Sequence, residues 1–95
     1  MKQDYISRMY QAGQDTEARR AIRKEIIREN TPEGEDPTYE PTESEIDDVE
    51  AEYYAARRMY KYGSPAAQME YITEHGITAW QDHVAQIKTD IPKPS

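Results

Sequence analysis

Cysteine, leucine and phenylalanine are all absent from this 95-residue chain. Without cysteine there is no disulfide scaffold and no thiolate zinc site. Without leucine or phenylalanine, the large apolar side chains reduce to nine Ile, two Val, four Met and Trp80, with eight Tyr beside them. A domain this small buries a modest share of its chain surface, so each large apolar residue counts. Tyrosine supplies area to bury together with a hydroxyl that needs a partner. With 33% of residues charged, the expectation is a thin core: part of the chain disordered alone, part of the apolar surface completed by a partner. No apolar run approaches the roughly 20 residues of a membrane span. Met1-Lys2-Gln3-Asp4 leads into no signal-peptide stretch. A soluble, non-exported chain with no membrane partner is expected.

Chemistry-bearing motifs are equally scarce. The two histidines, His75 and His83, lack the HxxxH or HExxH spacing of a metal site. Ser44 and Ser64 fall where helix starts need them, and the four glycines stand singly rather than in a phosphate-binding loop. Acids at 43–52 sit in open sequence at a helix start, with nothing to raise a carboxylate pKa. The reading is a non-enzyme with no catalytic residue, cofactor or metal. The basic segment 16–29 has no accompanying recognition element, and a chain of net charge −7 is repelled by phosphate. Nucleic acid is therefore not expected as a partner.

What is present is helical punctuation. Residues 1–29 carry a balance of +2, residues 30–52 of −10 and residues 53–95 of +1. Tyr5, Ile6, Met9 and Tyr10 make one helical stripe, and Gly13 stands where a left-handed cap is wanted. Asp15 or Thr16 can cap a second helix, with Ala18, Ala21, Ile22 and Ile26 as its apolar face. Residues 30–41, NTPEGEDPTYEP, hold three Pro and four acids and read as a flexible acidic linker with Tyr39 its one anchor. Thr42 and Glu45 form a capping-box pattern. Ile46, Val49, Tyr53, Ala56 and Tyr60 then alternate spacings of three and four, predicting one long helix. Gly63-Ser64-Pro65 stops and restarts the chain. Gly76 closes the next helix, and Thr78 with Gln81 suggests a second capping box. Ile77, Trp80, Val84 and Ile87 are the expected anchors of a C-terminal hairpin.

The predicted organisation is all-α: an N-terminal helical arm at 1–29, a linker at 30–41, and a C-terminal helical module at 42–95. Tyr5, Met9, Tyr10, Ile22, Ile26, Tyr39, Tyr53 and Tyr60 are the candidate partner-binding residues, on the expectation that the arm buries little by itself.

Residues 58–94 carry a sequence of features in order: Arg58, Tyr62-Gly63-Ser64, Gln68-Met69, Ile72, Gly76-Ile77, Ala79-Trp80, Val84, Ile87-Lys88 and Pro92-Lys93-Pro94. This resembles a short module of small tailed-phage proteins described as tail or tail-fibre-assembly related. Met69 departs from the usual Leu, and Ile91 stands where an aromatic often precedes the Pro. The module is a packing pattern and implies no catalytic site. What the resemblance implies is a virion structural protein at the head–tail or tail-fibre region. Its partners would be larger portal, adaptor, tail or fibre subunits, and it would be present in several copies of a symmetric assembly, in the host cytoplasm before the particle. The alternatives are a tail-assembly chaperone absent from the finished particle, or a small acidic inhibitor of a host defence protein, imitating a nucleic-acid backbone.

Overall fold

The computed structural model describes residues 2–94, and among them every regular element is a helix. In chain order these are α1 (Asp4–Gln11), α2 (Asp15–Glu29), α3 (Glu43–Ala51), α4 (Tyr54–Tyr62), α5 (Pro65–His75) and α6 (Ile77–Asp90). None is long and apolar enough to cross a membrane. The molecule is elongated, with extents of 57 × 24 × 17 Å.

Local chemistry explains most boundaries. The Thr42 hydroxyl accepts from the Glu45 N–H while the Glu45 carboxylate accepts from the Thr42 N–H, which satisfies two otherwise orphan donors at the start of α3. Ser64 caps α5 by accepting from the Ala67 N–H, with Pro65 in the first turn. Gly13 (φ +75°) turns the chain between α1 and α2, where the Tyr60 ring lies so close that any Cβ would meet it at 2.5 Å. Two expected caps are corrected. Gln14, not Asp15 or Thr16, holds the α2 N-cap position, leaving Asp15 in the first turn where its charge suits the dipole. Helix α6 starts at Ile77 behind Gly76, so Thr78 lies inside the first turn and forms no capping box.

The predicted long helix is divided. The N–H groups of Glu52 and Tyr53 donate to the carbonyls of Val49 and Glu50, a tightened i→i+3 turn that separates α3 from α4. That turn shifts the phase of the apolar seam. Ile46, Tyr53 and Ala56 stay buried, whereas Tyr60 rotates out to 51% exposure.

A single core joins the first four helices: Ile6 and Tyr10 of α1, Ala18, Ala21, Ile22 and Ile26 of α2, Ile46 of α3, Tyr53 at the break and Ala56 of α4. Met9, Tyr39 and Val49 pack against it. The separate N-terminal arm expected from the sequence is therefore corrected. Segments 1–29 and 42–56 supply two halves of one core, because each has an apolar stripe too narrow to be enclosed alone. Small Ala18, Ala21 and Ala56 let the helices approach, and the large volume comes from Ile6, Ile22 and the Tyr10–Tyr53 ring pair, 5.5 Å between centroids.

The charge blocks close on each other. Arg19 of α2 reaches Glu43 at 2.8 Å, Asp47 at 2.9 Å and Glu50 at 3.2 Å, and Arg23 reaches Glu40 at 2.6 Å. Four of the ten acids of residues 30–52 are thus paired with the basic helix beside them. The linker itself forms no regular element, yet both its ends are tied. The Asn30 and Thr31 side chains donate to the Ile26 and Ile27 carbonyls, and the Tyr39 hydroxyl donates to the Glu45 carboxylate.

Tyrosine hydroxyls donating to carboxylates recur through this half. Tyr5 donates to Glu25 and Tyr10 to Glu50, each at 2.6 Å. The bond to Glu25 pushes the Tyr5 pKa up to about 12. Burial, and then the bond to Glu50, raises Tyr10; the bond to Glu45 raises Tyr39; burial raises Tyr53. In return, Tyr5 holds Glu25 and Tyr39 holds Glu45 below the usual carboxylate range. A phenol whose pKa is raised by folding stabilises the fold below its ordinary value and loses that contribution as pH rises through the folded value. A carboxylate whose pKa is lowered stabilises above its ordinary value and loses it on acidification. Thermal midpoints should therefore be flat near neutrality, fall below about pH 4.5, and fall again above about pH 10. Tyr5→Phe together with Tyr39→Phe should flatten part of both limbs in a melting series followed by circular dichroism.

Candidate interaction surface

Beyond α4 the chain turns back twice, and α5 and α6 form an antiparallel hairpin that leans on α4 through α6. Its attachment is narrow. Ile87 and Ile91 are the buried residues of this end, and the Arg58 guanidinium donates from Nε to the Ile91 carbonyl at 2.8 Å. Arg58 also lies over the Tyr54 ring at 5.1 Å, so one side chain braces α4 to the end of α6. The apolar side chain of Ile91 is visible in the sequence, but its carbonyl's role as acceptor is not, since that depends on the fold and not on residue type.

No residue of α5 is buried. The hairpin instead shares a sheet of half-covered rings. Tyr71 lies between His75 at 4.7 Å and His83 at 5.0 Å, the latter stacked at 20°. Trp80 meets Tyr71 and His83 at 5.6 Å each and Tyr62 at 6.4 Å, with edge-on geometry to both tyrosines. Two helices cannot enclose rings of this size between them, so one side of the cluster faces water. Met69 (62% exposed) and Ile77 (55%) extend the same end of the molecule.

The expected roles of the two halves are exchanged. Among the candidate partner residues, Tyr10, Ile22, Ile26 and Tyr53 are enclosed in the core and offer nothing to a partner. Met9 and Tyr39 pack on that core. Tyr5 is 38% exposed with its hydroxyl tied to Glu25, and Tyr60 is open beside Gly13. Among the expected anchors, Ile87 is buried, Trp80 and Val84 are half-buried, and Ile77 is exposed. The physical reason is the number of neighbours: α1–α4 surround their stripe on several sides, whereas α5 packs chiefly on α6.

The histidines are absorbed by the ring cluster, and no group of three or more metal-capable side chains occurs among the described residues. No family model matches the chain, nor does any curated protein or solved structure.

Proposed function

We propose that this chain is a non-catalytic structural protein of a tailed-phage particle, docking on a larger subunit through its α5–α6 hairpin. The observation that carries the docking role is the composition of that hairpin. Met69, Ile77 and one side of the Tyr62–Tyr71–Trp80 cluster are open at the end of the molecule remote from the core, and a large aromatic with one apolar side and one wet side is the usual anchor of an interface. The phage assignment is supported by the resemblance of residues 58–94, which are the residues that build this hairpin and its attachment. The portal, adaptor, tail or fibre subunits of the particle are the partners this reading names.

The backbone-mimic alternative loses support from the ion pairs described above, because Glu43, Asp47 and Glu50 are already held by Arg19. The chaperone alternative uses the same hairpin and differs in where the protein ends up. Mass spectrometry of gradient-purified particles is the test: stoichiometric recovery is expected. Recovery from infected-cell lysate alone, with an unassembled tail or fibre protein, would favour the chaperone. On the isolated protein, Met69→Glu with Ile77→Glu should leave the melting temperature unchanged while weakening capture of the partner at least about tenfold.

A further inference from the structure

Helix α3 rests on the core through two apolar side chains, buried Ile46 and half-buried Val49. Its principal helical neighbour is α2, whereas α1 packs on both α2 and α4 without it. The rest of its attachment is polar and largely open to water. Arg19, whose side chain is 29% exposed, takes Glu43, Asp47 and Glu50, and the first two of these are 84% and 64% exposed. The Tyr10 hydroxyl adds a bond to Glu50, and the Tyr39 hydroxyl one to Glu45. Both ends of the helix have give. Residues 30–42 lie outside any helix, and the i→i+3 turn at Glu52 and Tyr53 interrupts the ladder on the other side. Nine residues are too few to stay helical in water without packing.

The seated helix shows what the α2 surface beneath it accepts. Glu43, Asp47 and Glu50 stand at i, i+4 and i+7, so they line one edge of α3, with Ile46 and Val49 running beside them. On α2, Arg19 and Arg23 are one turn apart along the edge of the stripe formed by Ala18, Ile22 and Ile26. Arg23 takes Glu40, just ahead of α3. A row of bases beside an apolar strip is complementary to an acidic amphipathic helix, and α3 with its leader is such a helix. Ion pairs this exposed are individually weak and are screened by salt. Helix α3 is therefore the part of the core that lifts most readily, and lifting it leaves α1 packed on α2 and α4.

We propose that α3 is a releasable strap, seated within the chain on a docking site for an acidic amphipathic helix of a partner protein. The partner helix carries carboxylates at i, i+4 and i+7 beside an aliphatic pair, and it replaces α3 on Arg19 and on the stripe at Ile22. Tethering gives α3 an effective concentration in about the millimolar range, so the site stays masked until a partner is held nearby by other contacts. This surface is separate from the α5–α6 hairpin and does not depend on the phage assignment.

The test has two arms, both on the full chain. The first is amide hydrogen exchange of the wild type, followed by NMR in about 25 mM and about 500 mM salt. Amides of residues 46–51 should exchange at least about tenfold faster than those of residues 18–28, and the gap should widen at high salt. Exchange of the two segments in step at both salts overturns the proposal, because α3 then opens only when the whole core does. The second arm uses a labelled peptide of residues 40–53 and the variant Glu43→Gln/Asp47→Asn/Glu50→Gln. The variant loosens the hold of α3 on Arg19 and keeps an acceptor for the Tyr10 hydroxyl. It should bind the peptide at least about tenfold more tightly than the wild type does. A peptide with the same three amide substitutions should not bind, and adding Arg19→Gln to the variant should abolish binding. Binding that is absent, equal in wild type and variant, or retained after Arg19→Gln overturns the proposal. The exchange gap is read on the wild type, so it decides alone where the variant loses helicity.

Discussion

Tyr53→Ala should cost about 3–5 kcal/mol of folding free energy, read from the urea midpoint. The ring is fully enclosed, packs at a tilt on Tyr10 at 5.5 Å and fills the joint where α1 crosses the break between α3 and α4. Its hydroxyl accepts the Gln3 N–H at 2.7 Å, at the head of α1. Alanine leaves a cavity bounded by helices that cannot all move inward, and leaves a backbone donor without its acceptor. Tyr53→Phe keeps the volume and loses the acceptor, so it should cost about 1 kcal/mol. Total stability for a domain of this size is about 5–10 kcal/mol, so the alanine variant should lose a third or more of it and melt well below the wild type. An alanine variant that melts with the wild type would show that the two halves of the core are not joined at this point.

Removing residues 1–29 should unfold what remains of the core. The deletion takes away Ile6, Tyr10, Ala18, Ala21, Ile22 and Ile26, six of the nine core residues, and strands Glu43, Asp47 and Glu50 without Arg19. Segment 42–95 would keep α3 and α4 as two nine-residue helices, too short to persist in water without packing. Helicity by circular dichroism should therefore fall by much more than the deleted share, and the melting transition should lose its cooperativity. An independent module 42–95, as the sequence suggests, would instead retain a sharp transition.

What was legible in the sequence was local. Gly13, Thr42 with Glu45, Gly63-Ser64-Pro65 and Gly76 mark helix ends by chemistry confined to a few neighbouring residues, and the fold keeps each of them. The core residues could be listed from periodicity, but which stripe meets which could not. Pairing depends on contacts forty or fifty residues apart, such as Tyr10 with Glu50 and Gln3 with Tyr53. That is why Tyr10 and Tyr53 read as free anchors when they are the centre of the protein. Trp80 misled in the opposite sense. Its size suggests a core, but burial needs neighbours on every side, and α5 and α6 supply too few. The break at Glu52–Tyr53 also lacks any Pro or Gly to announce it. The exposure of Tyr60 accompanies that break, which puts it out of phase with the buried positions of the seam.

The division of the core between residues 6–26 and 46–56 sets a timetable for synthesis. A chain emerging from the ribosome exposes α1 and α2 before α3 and α4, and these two helices alone cannot complete the enclosure of Tyr10, Ile22 and Ile26. Translation at about 5–20 residues per second leaves that surface incompletely covered for about 1.5–6 s between Ile26 and Ala56. The charged positions of α2 and the acids and prolines of the linker would keep the waiting segment in solution. The hairpin of α5 and α6 is made after α1–α4, from neighbours in sequence, onto a core whose residues have all been synthesised.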